Sequence, residues 1–177
     1  MNRIYIDNDV VSGFRRRDLK PEELSAIDTL TALAVTGSIS LFVSAVHDRE
    51  AAPLPEQYRQ EQQKILATFP AVEFAEDHRL LGFNMVYSGP GGTGGFITHP
   101  LIEDDTVARR LREIGLDRPD AHHVMLAIRR QCAVFVTCDE RTILNHRGAV
   151  EVVFPIHLML PSELLRDIQQ RLQERAR

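Results

Sequence analysis

Apolar and polar positions along this chain follow two periods, one suited to strands and one to helices. Residues 3–6 (RIYI) form a short apolar run ending at Asp7, and the pattern predicts a strand there. A polar stretch follows to about residue 20. Over 21–37, Leu24, Ile27, Leu30 and Ala34 recur at helical spacing, and Gly37 suits a helix stop. Residues 38–44 (SISLFVS) have the apolar, β-branched character of a buried strand. A long helical region is predicted over about 45–69, interrupted around Pro53 and Pro55, then a short strand over 72–75. Helical pattern resumes over 102–115 and again over 118–131. Residues 133–137 (AVFVT) and 150–154 (VEVVF) carry the composition of buried strands, and a last helix opens at a Ser162 cap.

Strands alternating with helices predict an α/β fold whose mostly parallel sheet is covered on both faces. The length suits a single domain over 1–177. One composition shift interrupts it: SGPGGTGGF (88–96), inside an insertion around 77–105, where the glycines predict a flexible loop or flap. No Lys-Ser or Lys-Thr pair follows it, so it is not a P-loop.

Composition narrows the function classes. At 44% hydrophobic and 26% charged residues, the chain can bury a core beneath an ordinary surface. No run approaches the roughly 20 apolar residues that span a bilayer, so no membrane partner is expected. The N-terminus meets carboxylates within MNRIYIDND and lacks a signal-peptide pattern. Cys132 and Cys138 are the only cysteines, so the expectation is a reducing cytoplasm rather than a disulfide framework. A net charge of −4 counts against broad electrostatic attraction to nucleic acid. The cations are nonetheless almost all Arg, clustered at Arg15 to Arg17, at Arg109, Arg110 and Arg112, and at Arg129 and Arg130. Guanidinium forks match phosphate oxygens, although solvated helix faces are the plainer reading of such clusters.

In parallel sheets ligands bind beyond the carboxyl ends of the strands, which gives the scattered acids a meaning. Asp7 follows the first strand and Asp9 stands two residues on. Asp139 follows AVFVTC. Asp120 opens the helix DAHHVMLAI, where Ala121, Val124, Met125 and Ile128 form the stripe that must face the sheet. Glu50 lies six residues past Ser44, on the helix expected after the second strand. Each also has a structural reading: an aspartate at a strand exit forms turns or caps a helix, and an acid in a first helical turn complements the dipole. Asp117 with Pro119 already reads as a cap. His122 and His123 project about 100° apart on a helix, so they cannot share one metal, and packing or surface roles suit them. Gathered together, two strand-exit aspartates and two helix acids would suit a hard divalent cation engaged in phosphoryl chemistry. Without the cation they would repel, and some would titrate above their ordinary values.

The segments IYIDNDV (4–10), SISLFVSAVHDRE (38–50), DAHHVMLAI (120–128) and AVFVTCDERTI (133–143) resemble the PIN-domain family in order and spacing, over residues 3 to about 155. The Asp-Ala-His and Thr-x-Asp pair is the most specific part. The resemblance implies a three-layer α/β/α fold with a five-stranded, mostly parallel sheet, Mg²⁺ or Mn²⁺ as cofactor, and hydrolysis of RNA phosphodiesters. Asp7, Glu50, Asp120 and Asp139 would be the catalytic, metal-binding acids, with Asp9 and Thr137 supporting them. Asp9 stands where the family commonly has Asn, and the glycine-rich insertion exceeds that of minimal members. Many bacterial relatives are toxins of toxin–antitoxin pairs, so beside RNA an antitoxin protein and a homodimer stay open as partners.

Two other readings compete. A non-catalytic PIN-like module would bind RNA or protein without cutting. A haloacid-dehalogenase-like phosphatase would use Asp7 and Asp9 as nucleophile and acid, but it wants a lysine after a later strand. Only Lys20 and Lys64 are present, and neither follows one.

Overall fold

The computed structural model describes residues 3–44, 53–67, 84–85, 97–98 and 105–175. Its organising element is a parallel sheet of four strands in the order β2-β1-β5-β6: β1 (Arg3–Ile6), β2 (Ser40–Phe42), β5 (Val134–Val136) and β6 (His157–Met159). A two-residue antiparallel ribbon, β3 (Asn84–Met85) with β4 (Ile97–Thr98), stands apart from it. Seven α-helices are described: α1 (Asn8–Arg16), α2 (Pro21–Val35), α3 (Glu56–Leu66), α4 (Thr106–Ile114), α5 (Arg118–Arg129), α6 (Arg147–Val153) and α7 (Pro161–Arg175). The fold is thus α/β, as the alternating pattern predicts. The VEFA strand, most of the glycine-rich insertion and the start of the 45–69 helical region lie outside the described residues.

Side-chain alternation within the strands divides the core. Ile4, Ile6, Val134 and Val136 face one side, where they pack with Val10 and Val11 of α1, Ile27 and Leu30 of α2, and Leu164 of α7. Tyr5, Phe135 and Leu158 face the other, with Leu111 of α4, Val124 and Met125 of α5, and Val150 of α6. Tyr5 and Phe135 stack at 5.3 Å between ring centroids across the β1–β5 pair. Both faces of the sheet are therefore dry, which is why β1 and β5 read as continuous apolar runs.

Three expectations need correction. The polar stretch after Asp7 is helix α1, because Asp7 caps it and Val10, Val11 and Phe14 give it an apolar face. Gly13 lies on the same helix, where Leu19 folds back so closely that a Cβ would stand 2.6 Å from its Cδ2. Residues 150–154 are not a strand. Val150 is fully buried but Val152 is 87% exposed, so the segment buries one stripe as helix α6, and the strand comes later, at His157–Met159. Glu151 then reaches from α6 to accept the Leu158 N–H at 2.9 Å, covering part of the β6 edge. Finally, α7 opens at Pro161, so Ser162 lies inside its first turn. Its N–H and Oγ both donate to the buried Glu23 of α2, at 2.9 and 2.8 Å.

The remaining boundaries follow local chemistry. Pro21 starts α2, and Gly37 ends it with φ +74, a conformation in which Gly37 N and Ser38 N cap the last carbonyls. Asp117 caps α5 as expected, its Oδ1 accepting the Asp120 N–H at 2.9 Å. None of the described helices is long and apolar enough to cross a membrane.

Candidate functional site

β1 lies between β2, which follows it in the chain, and β5, which comes much later. The connections leaving β1 and β5 therefore diverge, and the crevice where they part is the place an open parallel sheet offers a ligand. Asp7 and Asp139 stand at those two strand exits. The Asp7 N–H still belongs to the ladder, donating to the Val136 carbonyl at 2.9 Å. This fixes the start of α1 beside the end of β5.

The centre of the site is Thr137, fully buried at the end of β5. Its Oγ1 lies 2.8 Å from Asp7 Oδ2 and 3.2 Å from Asp9 Oδ1, and it accepts the Asp139 N–H at 3.0 Å. A hydroxyl has one proton to donate, so it can serve only one of the two carboxylates at a time. Asp7 Oδ1 accepts the Asn8 N–H at 2.8 Å, and Asp9 Oδ2 accepts the Cys138 N–H at 2.9 Å. The two carboxyls lie close enough for each to bear on the other's ionisation.

Electrostatics follow from this packing. Burial pushes the Asp7 carboxyl up to about 7, against the bonds from Thr137 and Asn8. Burial, followed by the Asp7 charge, pushes Asp9 up to about 8. Burial also raises Asp120, and the charges of Asp117 and Asp139 add to that while the Thr142 hydroxyl works the other way. The expected rise is present at three acids, with burial rather than mutual repulsion as its largest cause. Asp139 goes the opposite way. Burial opposes its ionisation but is outweighed by the Thr142 hydroxyl at 2.6 Å and by the N–H groups of Thr142 and Arg141 at 2.8 and 2.9 Å.

The structure brings the carboxyls of Asp7 and Asp9 and the backbone N–H of Asp139 together at Thr137, and Asp120 is near enough for its charge to bear on Asp7 and for Asp139 to bear on it. Glu50 lies outside the described residues. The structural readings hold as well: Asp7 caps α1, and Asp139 closes the turn after β5. His123 has a packing role, its Nδ1 standing 3.0 Å from the buried Tyr5 hydroxyl, which donates to Ser44 at 2.7 Å. Sequence reading missed Thr142, which orients Asp139; a threonine three residues past a strand-exit aspartate is the signal that could have found it. It also missed where Lys20 goes, since Lys20 Nζ lies 2.6 Å from Glu140 Oε1 at the exit of β5.

The donor chemistry fits a hard divalent cation. The groups gathered here offer carboxylate oxygens, the ionisation of Asp7, Asp9 and Asp120 is held back by burial, and Asp120 Oδ2 is buried with no hydrogen-bond partner. Among the described residues, no group of three His, Cys, Asp or Glu side chains stands at metal-holding spacing. Asp7 and Asp139 already accept hydrogen bonds on both oxygens, so they would meet a cation with their remaining lone pairs. No family model matches the chain, and no curated protein or solved structure matches it.

Proposed function

We propose that this chain is a Mg²⁺- or Mn²⁺-dependent endoribonuclease of the PIN type. The observation that carries the reading is the junction at Thr137, where two carboxyls from the β1 exit and the backbone N–H of Asp139 from the β5 exit meet at a single hydroxyl. Asp120 supports it with an unpartnered buried oxygen. In this reading Asp7, Glu50, Asp120 and Asp139 hold the cation, which supplies Lewis-acid chemistry at an RNA phosphodiester when bound. The chain's own groups prepare the site. Thr137 and Asn8 orient Asp7, Cys138 holds Asp9, and Thr142 with two backbone N–H groups keeps Asp139 ionised. A bound cation would favour the ionised forms of Asp7 and Asp9, which burial disfavours.

The same reading brings a three-layer α/β/α domain whose sheet gains a fifth strand, a cytoplasmic setting, and an antitoxin or a second copy as candidate protein partners. Mixed RNAs incubated with the purified chain should be cut in Mg²⁺ and left whole in EDTA. Cleavage that persists in chelator overturns the metal reading.

One observation favours a second reading, the non-catalytic module. Both oxygens of Asp7 and of Asp139 serve internal hydrogen bonds, as they would in acids retained for structure. Calorimetric Mn²⁺ titration separates the two, since a structural site gives no tight-binding heat. Lys20 does not follow a later strand, but its Nζ reaches Glu140 at the β5 exit, so the phosphatase reading gains a lysine near that exit. Asp7, only 5% exposed and bonded through both oxygens, is a poorly placed nucleophile, and an aryl phosphate assay tests the point.

A further inference from the structure

We propose that Lys20 is the positioning residue that holds a substrate phosphate at the acid site, and that Glu140 occupies it until the substrate arrives. The inference rests on the nuclease reading and deepens it.

A polyanion approaching Asp7, Asp9, Asp120 and Asp139 meets like charge, so the rim needs a cation that the chain itself supplies. Five of the arginines conspicuous in the sequence are engaged with other acids. Arg15 pairs with Glu61, Arg16 with Asp18 and Arg17 with Asp28, while Arg110 pairs with Glu113 and Arg129 with Asp105. Lys20 is different because the fold carries it from a distant helix to the segment that bears Asp139, where Arg141 is the neighbouring cation in the chain. Lys20 stands at the start of α2, yet its Nζ lies 2.6 Å from Oε1 of a residue 120 positions away. That residue, Glu140, is bonded to Asp139 in the chain. Its N–H donates to the Cys138 carbonyl at 3.0 Å, and the Cys138 N–H in turn donates to Asp9 Oδ2 at 2.9 Å. The lysine is thus tied to the same short segment that fixes Asp9 and Asp139.

The pair is built for exchange. Its side chains are 62% and 57% exposed, so water screens the attraction and little holds the two groups together. A lysine ammonium on a flexible four-carbon stem has three donors, and Glu140 takes one. A phosphodiester oxygen presents the same acceptor chemistry as the Glu140 carboxylate and can replace it with a small swing of the stem. Competition between the two anions gives the proposal its signature, because removing the lysine and removing the glutamate must act in opposite directions.

The test uses the full chain and a short fluorescein-labelled single-stranded RNA, with anisotropy followed across a salt series in EDTA to prevent cleavage. Lys20→Met should weaken binding several-fold and flatten the plot of log affinity against log salt by about 0.7, the contribution of one phosphate contact on a single strand. Glu140→Gln should tighten binding. In Mg²⁺, Lys20→Met should raise KM several-fold while kcat holds. Thermal melts of both variants identify any loss of folding. The proposal is overturned if Lys20→Met keeps the wild-type salt slope, or if Glu140→Gln weakens binding as Lys20→Met does, which is the behaviour of a merely structural ion pair. Wild-type protein that cuts RNA while Lys20→Met behaves normally removes this inference alone. Wild-type protein that binds no RNA in EDTA or in Mg²⁺ removes the nuclease reading with it.

Discussion

The Thr137 hydroxyl stands 2.8 Å from Asp7 Oδ2, joining residues separated by 130 positions in the chain. This contact ties the exit of β1 to the exit of β5. Three groups depend on one buried oxygen: the Asp7 and Asp9 carboxyls and the Asp139 N–H.

Thr137→Val tests that dependence, since it keeps the shape and removes the hydroxyl. The Asp139 N–H then loses its acceptor and the two carboxyls lose their shared donor, an expected destabilisation of about 1–3 kcal/mol. Thr137→Ser should retain most of the stability. Urea unfolding of both variants measures the difference. Equal stability of Thr137→Val and wild type would show that the junction contributes nothing.

A second prediction concerns pH. An unfolded aspartate titrates near 3.9, whereas burial places Asp7 at about 7 and Asp9 at about 8 in the fold. The native chain therefore binds protons that the unfolded chain has released. The stability these groups contribute is fully present below roughly pH 4 and is lost as pH rises through their folded values. Without metal, the melting temperature should fall between roughly pH 5 and pH 8 from this source. Asp9→Asn should flatten the fall. Its amide oxygen can take the Cys138 N–H, and its NH₂ can face Thr137 Oγ1, freeing the hydroxyl proton for Asp7. An Asp9→Asn melt with the wild-type pH slope would contradict the assignment.

Asp120 carries a third. Its Oδ2 is buried without a partner, so Asp120→Asn breaks no hydrogen bond at that atom and removes a charge that burial disfavours. Metal-free protein should therefore melt no lower than wild type. Mn²⁺ affinity should drop by roughly tenfold or more, in line with the loss of a group that shapes a metal site. Mn²⁺ titration calorimetry reads this directly, and unchanged binding heat would place Asp120 outside the site.

Much of this arrangement was legible in the sequence, and the reasons it was not complete are physical. β1 and β5 announce themselves because both faces of the sheet are covered, leaving uninterrupted apolar runs that end at Asp7 and just before Asp139. α2 and α5 were readable from their apolar stripes and their Gly37 and Asp117 boundaries. α1 was not, because its apolar face is only Val10, Val11 and Phe14, with Gly13 and an arginine run around it. The VEVVF segment misled because β-branched composition indicates only a fit to a half-buried pleat. Packing against β6 put Val150 inside and left Val152 in water, which a helix satisfies. Within the site, strand exits located Asp7 and Asp139. The sharing of one hydroxyl by three groups, the idle oxygen of Asp120 and the reach of Lys20 to Glu140 depend on contacts between distant segments, and no local pattern encodes them.

The central claim is that these acids form a divalent-metal centre that cuts RNA, and Asp7→Asn tests it most directly. The variant and the wild type, matched for folding by circular dichroism, are incubated with the same RNA in Mg²⁺, and the cleavage rates are compared. The account predicts cleavage by the wild type and none by the folded variant. A folded Asp7→Asn protein that cuts RNA at the wild-type rate would contradict it.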